Sequence, residues 1–397
     1  MSDLHRLDSV AEVFNGKTPA KSEQRTEGYP VLKIRDVNEA GLFKGVFESF
    51  VDDSLATKFK KKWIRVGDTL ILNAAHNADY VGSKTFFAGH SVVDALPTGE
   101  WLAVRPDQSK ALPEYINFWL RSKAARDAIR FIVKGIHLYP KDVAQLEIPL
   151  PSQTEQRRIV DVLARAEGIV RLRREAQQKA AELIPTLFLD LFGDPATNPK
   201  HWPLVAVGDL IERFEGGKNL QAGEANNAKY RILKISAVTS GRYIEEEAKP
   251  APTEIEPPAS HLVRVGDLLI SRANTEALVG AVALVEATGG TTLLPDKLWR
   301  FIWKDENVII SRFALHLFQQ PAVRSMLSRI ASGTGGSMKN ISQAKLKLLR
   351  LPIPPIELQR HFAAKAERVR SIAAKQSAAL TTAQSAFAAL LHRAFAR

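Results

Sequence analysis

The feature that most constrains this chain is its internal repetition. Near the middle stands Ile148-Pro149-Leu150-Pro151-Ser152, then Thr154-Glu155-Gln156-Arg157-Arg158, followed by a long charged stretch with apolar residues at heptad spacing. Near the C-terminus stands Leu351-Pro352-Ile353-Pro354-Pro355, then Glu357-Leu358-Gln359-Arg360 and a second such stretch. Pro149 to Pro352 is 352 − 149 = 203 positions, and Gln156 to Gln359 is the same interval. Two such elements in one register mean a duplicated protein, and any fold must accommodate both copies.

The segments ahead of the two stretches also match. Val10 to Phe14 leads into Asn15-Gly16-Lys17-Thr18-Pro19, and Val207 to Phe214 leads into Gly216-Gly217-Lys218-Asn219. Tyr29 to Arg35 is answered by Tyr230 to Ser236, and the Val-Gly-Asp of Ile64 to Ile71 by that of Val263 to Ile270. Trp101 to Arg105 is replaced by Trp299 to Trp303, and the helical pattern of Pro113 to Val133 by that of Ser311 to Ile330. Short strands, turns and one helix per half predict an α+β chain with two mixed α/β globules. The expected segments are 1–150, 151–195, 196–354 and 355–397.

The central helix is expected to start at Thr154 and to end or kink at Pro185, which lacks a backbone donor. Its heptad seam reads Ile159, Val162, Ala166, Ile169, Ala176, Ala180, Leu183 and Leu187, interrupted by Arg173. The twin reads Phe362, Val369, Ile372, Ala379, Ala383, Ala386 and Leu390, interrupted by Gln376 at the same interval from Arg173. Steps of three and four describe a coiled-coil surface. Since each seam has its counterpart in the same chain, the two helices are expected to pack antiparallel and hold the globules apart. Packing of each helix on its own globule, or on a partner chain, is the alternative.

The chain carries 55 Lys+Arg against 43 Asp+Glu, a formal net charge of +12. That excess favours a polyanionic partner, nucleic acid ahead of an acidic membrane. Cysteine is absent, which excludes disulfides, thiolate metal sites and cysteine nucleophiles and fits a reducing compartment. With no signal-peptide pattern and no apolar run near the ~18 residues of a membrane span, a cytoplasmic protein is expected. Enzymatic constellations are missing. Gly333-Thr334-Gly335-Gly336-Ser337-Met338-Lys339 lacks the Gly-Lys-Ser/Thr end of a phosphate-binding loop and follows a helix rather than a strand. There is no His-Glu-x-x-His, no metal-spaced His/carboxylate cluster, no Gly-x-Ser-x-Gly elbow and no Asn-Pro-Pro-aromatic segment. No catalytic residue, metal or cofactor is expected on this chain.

What both halves do possess is polar, basic, glycine-punctuated loops at matching places. Lys17 and Thr18 are answered by Lys218 and Asn219, and Lys33 in the Leu-Lys-Ile strand by Lys234. After the Val-Gly-Asp strand come Asn73, His76 and Asn77, answered by Ser271, Arg272, Asn274 and Thr275. After the helix come Lys134, His137, Tyr139 and Lys141, answered by Thr334, Ser337, Lys339 and Asn340. Lys and Arg neutralise phosphate, while Asn and Ser can hydrogen-bond base edges. For any single residue an ordinary solvated turn explains the observation equally well; the paired pattern speaks for the loops as groups.

Three features together resemble the specificity subunits of type I restriction–modification systems. They are the repeated Ile/Leu-Pro-x-Pro-x-x-x-x-Gln-Arg entry to a long helix, the Val-Gly-Asp strand, and the run from Gly333 to Ser342. The resemblance covers the whole chain. It implies two target-recognition domains, each reading one half of a split, asymmetric site on double-stranded DNA, with two helices as a spacer. It also implies docking of methyltransferase subunits carrying S-adenosylmethionine and of a motor–nuclease subunit using ATP and Mg. The first half departs from the pattern, with Lys134-Gly135-Ile136-His137-Leu138-Tyr139-Pro140-Lys141 where the second has Gly333 to Ser342. The competing reading is a non-catalytic assembly scaffold whose basic charge is incidental; a self-contained methyltransferase or nuclease is disfavoured by the missing motifs.

Overall fold

Apolar residues occupy consecutive positions in the strand Thr69–Leu72, where Leu70 and Ile71 are both fully buried. Such a run requires cover on both faces of a sheet. The structure, a computed structural model, describes residues 3–223, 228–333 and 338–396. It divides the chain into two compact units, Met1–Glu175 with Ser377–Arg397, and Ala176–Gln376.

In the first unit, strands Ala11–Asn15, Trp101–Pro106, Thr69–Leu72 and Thr85–Phe87 form an antiparallel sheet in that order. Val13 lies opposite Val104, and Leu70 opposite Ala103. Ile71, Leu102 and Val104 pack with Tyr115, Phe118 and Trp119 of helix Pro113–Arg121. Leu70, Trp101 and Ala103 face a separate core with Leu32, Ile64 and Phe86. A three-stranded sheet, Phe50–Val51, Tyr29–Leu32 and Leu96–Pro97, and the pair Leu4–Arg6 with Glu147–Pro149 complete the unit. The strand expected through Arg35 stops at Leu32, because the Asp36 carboxylate accepts the Lys33 amide at 2.7 Å and turns the chain.

The second unit repeats this plan with Ile211–Gly216, Leu298–Trp303, Leu268–Ser271 and Val282–Leu284 in the same order. Leu268 and Ile270 enter one core and Leu269 the other. In both units the helix expected as one piece is two. Pro113–Arg121 and Lys123–Ile132 meet at Ser122, whose hydroxyl caps the Ala125 amide at 3.2 Å. Ser311–Gln319 and Pro321–Ile330 meet at Gln320, which Pro321 drives out of the helical region.

The repeated motif residues prove to be internal fasteners. Gln156 is buried; its Oε1 accepts the Leu112 amide at 2.9 Å and its Nε2 donates to Pro151 O at 2.9 Å. Gln359 does the same in the second unit, accepting Ile310 N at 3.2 Å and donating to Val308 O and Pro354 O. Each glutamine ties the first turn of a long helix to the approach of the helix that packs on it. The aspartate of each Val-Gly-Asp also points inward. Asp68 holds Arg105 through two hydrogen bonds, 2.7 and 3.0 Å, and Asp267 holds Arg300 at 2.7 Å with Glu215 at 2.8 Å. Burial acts to raise both acidic groups: it prevails at Asp267, and at Glu215 it is outweighed by Arg213 and Arg300, which hold that carboxyl low.

The central helix runs Gln153–Phe192 and its twin Ile356–Phe395, 40 residues each and so about 60 Å long. Pro185, expected to end or kink the first, lies inside it. Proline in a helix interior costs about 3 kcal/mol. The turn beyond it carries Phe188 and Phe192 into the second unit's core, where burial of each ring is worth roughly 1.5–3 kcal/mol and offsets that cost. The first unit's core takes Ile159, Val160 and Leu163 from the start of the central helix and Phe387, Leu391 and Phe395 from the end of its twin. The second takes Leu187, Phe188 and Phe192 from the end of the central helix and Leu358, Phe362 and Ala366 from the start of its twin. The helices are thus antiparallel.

The seam differs from the expected one. Ile159, Ala166, Val369 and Gln376 are half-buried and Phe362 is fully buried, whereas Val162, Ile169, Arg173 and Ile372 are exposed. Leu163 and Ala366 take the buried places. A heptad read from a sequence allows two neighbouring stripes, and the globular cores each helix must also cover choose between them.

Candidate nucleic-acid interface

In each unit three loops converge at one end of the four-stranded sheet. In the first, Gly16 donates to Trp101 O at 2.9 Å and Lys17 to Pro97 O at 2.8 Å. A Cβ on Gly16 would lie 2.2 Å from Thr98 O, so only glycine permits this approach. Asn73 is buried and links the loops, its Nδ2 donating to Asn15 Oδ1 at 2.9 Å and Gly99 O at 3.0 Å. The Thr18 hydroxyl accepts the Gly99 amide at 2.9 Å. The third loop joins through the Ala74–His137 bridge and the bond from Leu138 N to Asn73 O at 2.8 Å.

The second unit builds the same junction from other residues. Gly217 donates to Pro295 O at 3.1 Å, and its missing Cβ would meet Leu294 O at 1.6 Å. Ala273 and Asn274 pair with Asn340 and Lys339, and Ile341 N donates to Arg272 O at 2.8 Å. The loop from Lys134 to Lys141 therefore docks where Lys339 to Ile341 docks, although their sequences share little.

The candidate residues separate by what they touch. Asn73 and Ser271 are buried and brace the loops; Ser271 Oγ donates to Ala273 O at 3.3 Å. Arg272 is tied down, donating to Asp296 O at 2.7 Å with its guanidinium over Trp299 at 5.5 Å. Lys134 pairs with Asp142 at 2.8 Å, and Lys234 with Glu247 at 3.9 Å. Asn77 and Asn274 each cap a following amide, Asp79 N at 3.1 Å and Thr275 N at 2.8 Å. Lys33 reaches Gln24 Oε1 at 3.3 Å and, with Thr18, Arg35, Lys44 and Lys84, lines an open cleft of about 710 Å³. Lys17, His76, His137, Tyr139, Lys141, Lys218 and Asn219 are exposed, and Lys339 and Asn340 half-exposed. Among the described residues Lys17, Lys141, Lys218 and Lys339 have no ion-pair partner within 4.0 Å. Thr334 and Ser337 lie outside the described residues.

Each unit therefore presents a braced rim that carries uncompensated lysines, joined by imidazoles and a phenol in the first unit and by amides in the second. Among the described residues no group of three or more acidic or histidine side chains forms a metal site. No helix is long and apolar enough to cross a membrane.

A family model, the type I restriction modification DNA specificity domain, matches twice, at residues 2–182 and 199–380. The chain belongs to this family. Among curated specificity subunits, that of the EcoEI enzyme of Escherichia coli is 25% identical over 251 residues, covering 62% of this chain and 41% of that subunit's length. The MjaVIII specificity subunit of Methanocaldococcus jannaschii is 22% identical over 396 residues, covering 93% of this chain and 85% of its own. Of solved structures, a chain from a study of type I R-M complex assembly and conformational transition superimposes with a TM-score of 0.60 at 18% identity, covering 99% of this chain and 97% of its own. The S subunit from M. genitalium does so at 0.55 and 14%, covering 100% and 96%. Both share the fold. The two family matches fall on the two halves of the repeat, so each specificity domain brings its own rim.

Two features of the rims are not legible in the sequence. The bracing roles of Asn73 and Arg272 depend on partners 58 and 24 residues away along the chain. The basic segment ahead of the first Val-Gly-Asp, Lys58 to Lys62, is a visible charge run whose place beside Lys17 only folding reveals.

Proposed function

We propose that this specificity subunit reads a bipartite, asymmetric DNA site, one half through each unit's three-loop rim. The observation that carries this is the repeated scaffold with divergent loops. Buried braces are kept in both units while the outward residues differ, Lys17, His76, His137 and Tyr139 against Lys218, Asn219, Lys339 and Asn340. Lysines position the rims on phosphates; amides and imidazoles contact base edges. The antiparallel helices set the gap between half-sites. Val162, Ile169 and Leu172 are 42, 52 and 58% exposed on the central helix, an apolar stripe that methyltransferase subunits cover. Those subunits bring S-adenosylmethionine, and a motor–nuclease subunit brings ATP and Mg; the assembly works in the cytoplasm.

The test is binding of the full chain, assembled with its methyltransferase subunits, to a pool of random duplexes. Selection should enrich two short blocks separated by a constant gap. Lys339→Ala with Asn340→Ala should relax the preference in one block, by roughly 1–3 kcal/mol for each base edge no longer read, and leave the other unchanged. Binding indifferent to sequence at every salt concentration would overturn the reading.

A further inference from the structure

The two units repeat a short 3-10 turn ahead of the Val-Gly-Asp strand, Lys60–Lys62 in the first and Ala259–His261 in the second. Both turns hang on the buried arginine. Arg105 donates to Lys61 O at 3.0 Å and to Trp63 O at 2.6 Å; Arg300 donates to Leu262 O at 3.2 Å and to Ser260 O. The backbone is held alike in both, but the side chains are not. Pro257-Pro258-Ala259-Ser260-His261 stands where the first unit has Lys58-Phe59-Lys60-Lys61-Lys62.

These lysines are fixed beside the first loop of the rim. Lys62 Nζ donates to Asn15 O at 2.6 Å and Gly16 O at 3.3 Å. Lys17 Nζ lies 5.6 Å from the Phe59 ring centroid, Lys58 Nζ 5.7 Å from it, and Lys60 Nζ 5.8 Å from that of Trp63. Lys58, Lys60 and Lys61 are exposed. None of the five lysines has an ion-pair partner within 4.0 Å among the described residues; the nearby carboxylates are engaged elsewhere, Asp52 with Arg25 at 3.0 Å and Asp68 with Arg105. Burial, and then Lys17, hold the Lys62 ammonium below the ordinary lysine range, as expected where like charges gather without an anion.

We infer that Lys58, Lys60 and Lys61, with Lys17, form an additional phosphate-binding edge beside the first unit's half-site, one that the second unit lacks. The inference rests on the DNA-reading function proposed above and adds an asymmetry to it. The first rim has sequence-independent charge beyond its loops, whereas the second has only the lysines of its loops. Three ammonium groups around a turn pinned by a buried arginine, with Lys17 on the adjoining loop, suit the regularly spaced charges of a duplex strand, which carries one phosphate per roughly 3.4 Å.

The experiment compares the full chain, assembled with its methyltransferase subunits, with Lys58→Ala/Lys60→Ala/Lys61→Ala. Affinity for duplex carrying the cognate site is measured between about 50 and 200 mM salt, as suits counterion release. The triple variant should flatten the slope of log affinity against log salt by roughly 0.9 for each phosphate no longer neutralised. Cognate preference should persist, and ethylation interference should vanish only at phosphates flanking the first unit's half-site. Restoring charge with arginine at the three positions should restore the slope, and Ala259→Lys in the second unit should steepen it by about 0.9. An unchanged slope in the triple variant, with the parent chain selective as before, overturns the phosphate edge and leaves site recognition standing. So does a slope that arginine at the three positions fails to restore. A parent chain without cognate preference would instead overturn the recognition reading itself.

Discussion

At the scale of single residues, His316 ties stability to pH. It sits against Phe362, ring centroids 5.3 Å apart, with its Nε2 buried and without a hydrogen-bond partner among the described residues. Burial, then Arg312, push its pKa down from 6.5 to about 4. The folded chain keeps the ring neutral, while the unfolded chain takes up a proton as pH falls through 6.5. The contribution is therefore complete above pH 6.5, is lost between 6.5 and about 4, and stays level below that. At about 1.4 kcal/mol per pH unit this is roughly 3 kcal/mol over the window. Denaturant unfolding of the parent and of His316→Leu should show that loss in the parent and a smaller one in the variant; equal losses would place its origin elsewhere. The same scale shows what a repeated residue means. Gln156 and Gln359 were legible as a repeat, but their use as caps for Leu112 and Ile310 was not, since those partners lie 44 and 49 residues away.

Among the elements, the number and direction of the long helices are legible in the sequence, but the surface they bury is not. Val162, Ile169 and Ile372 satisfy the heptad yet face outward. Each helix covers the first unit's core near one end and the second's near the other, and those cores select the stripe. Pro185 teaches the same lesson: local propensity argues for an end, and Phe188 against Phe313 and Phe362, at 5.8 and 5.6 Å, carries the helix past it. The helices lend themselves to a length test. Four residues inserted beside Arg173 and four beside Gln376 add about 6 Å to each and nearly preserve its facing. The gap between half-sites, read from selected duplexes, should grow by roughly one or two base pairs at about 3.4 Å per step. A gap that does not move would remove the helices as the spacer.

For the whole molecule, the division of the chain matters most. Residues from Ser377 onward belong to the first unit although the second lies between them in sequence. Phe395 packs on Tyr115 at 5.3 Å and Phe387 on Phe118 at 6.4 Å. Deleting residues from Phe387 on should therefore weaken the first unit, stripping away Phe387, Leu391 and Phe395, whose burial is worth roughly 1.5–3 kcal/mol each. Hydrogen exchange should report the loss in Pro113–Ile132 and leave Ser311–Ile330 protected; the opposite distribution would contradict this assignment.

The sequence by itself determined the duplication, the α+β class, the pair of long helices, the basic balance and the three loop positions in each half. These follow from periodicity and from residues adjacent in the chain, which local chemistry reads without partners. Only the tertiary structure decided that Asn73 braces rather than reaches outward, that Arg272 is held by Asp296, and that Lys58 to Lys62 stand beside Lys17. It also decided which heptad stripe is buried and that helix Gln153–Phe192 passes through Pro185. Each of those outcomes depends on an interaction between residues distant in sequence, where burial and hydrogen-bond satisfaction outweigh local preference.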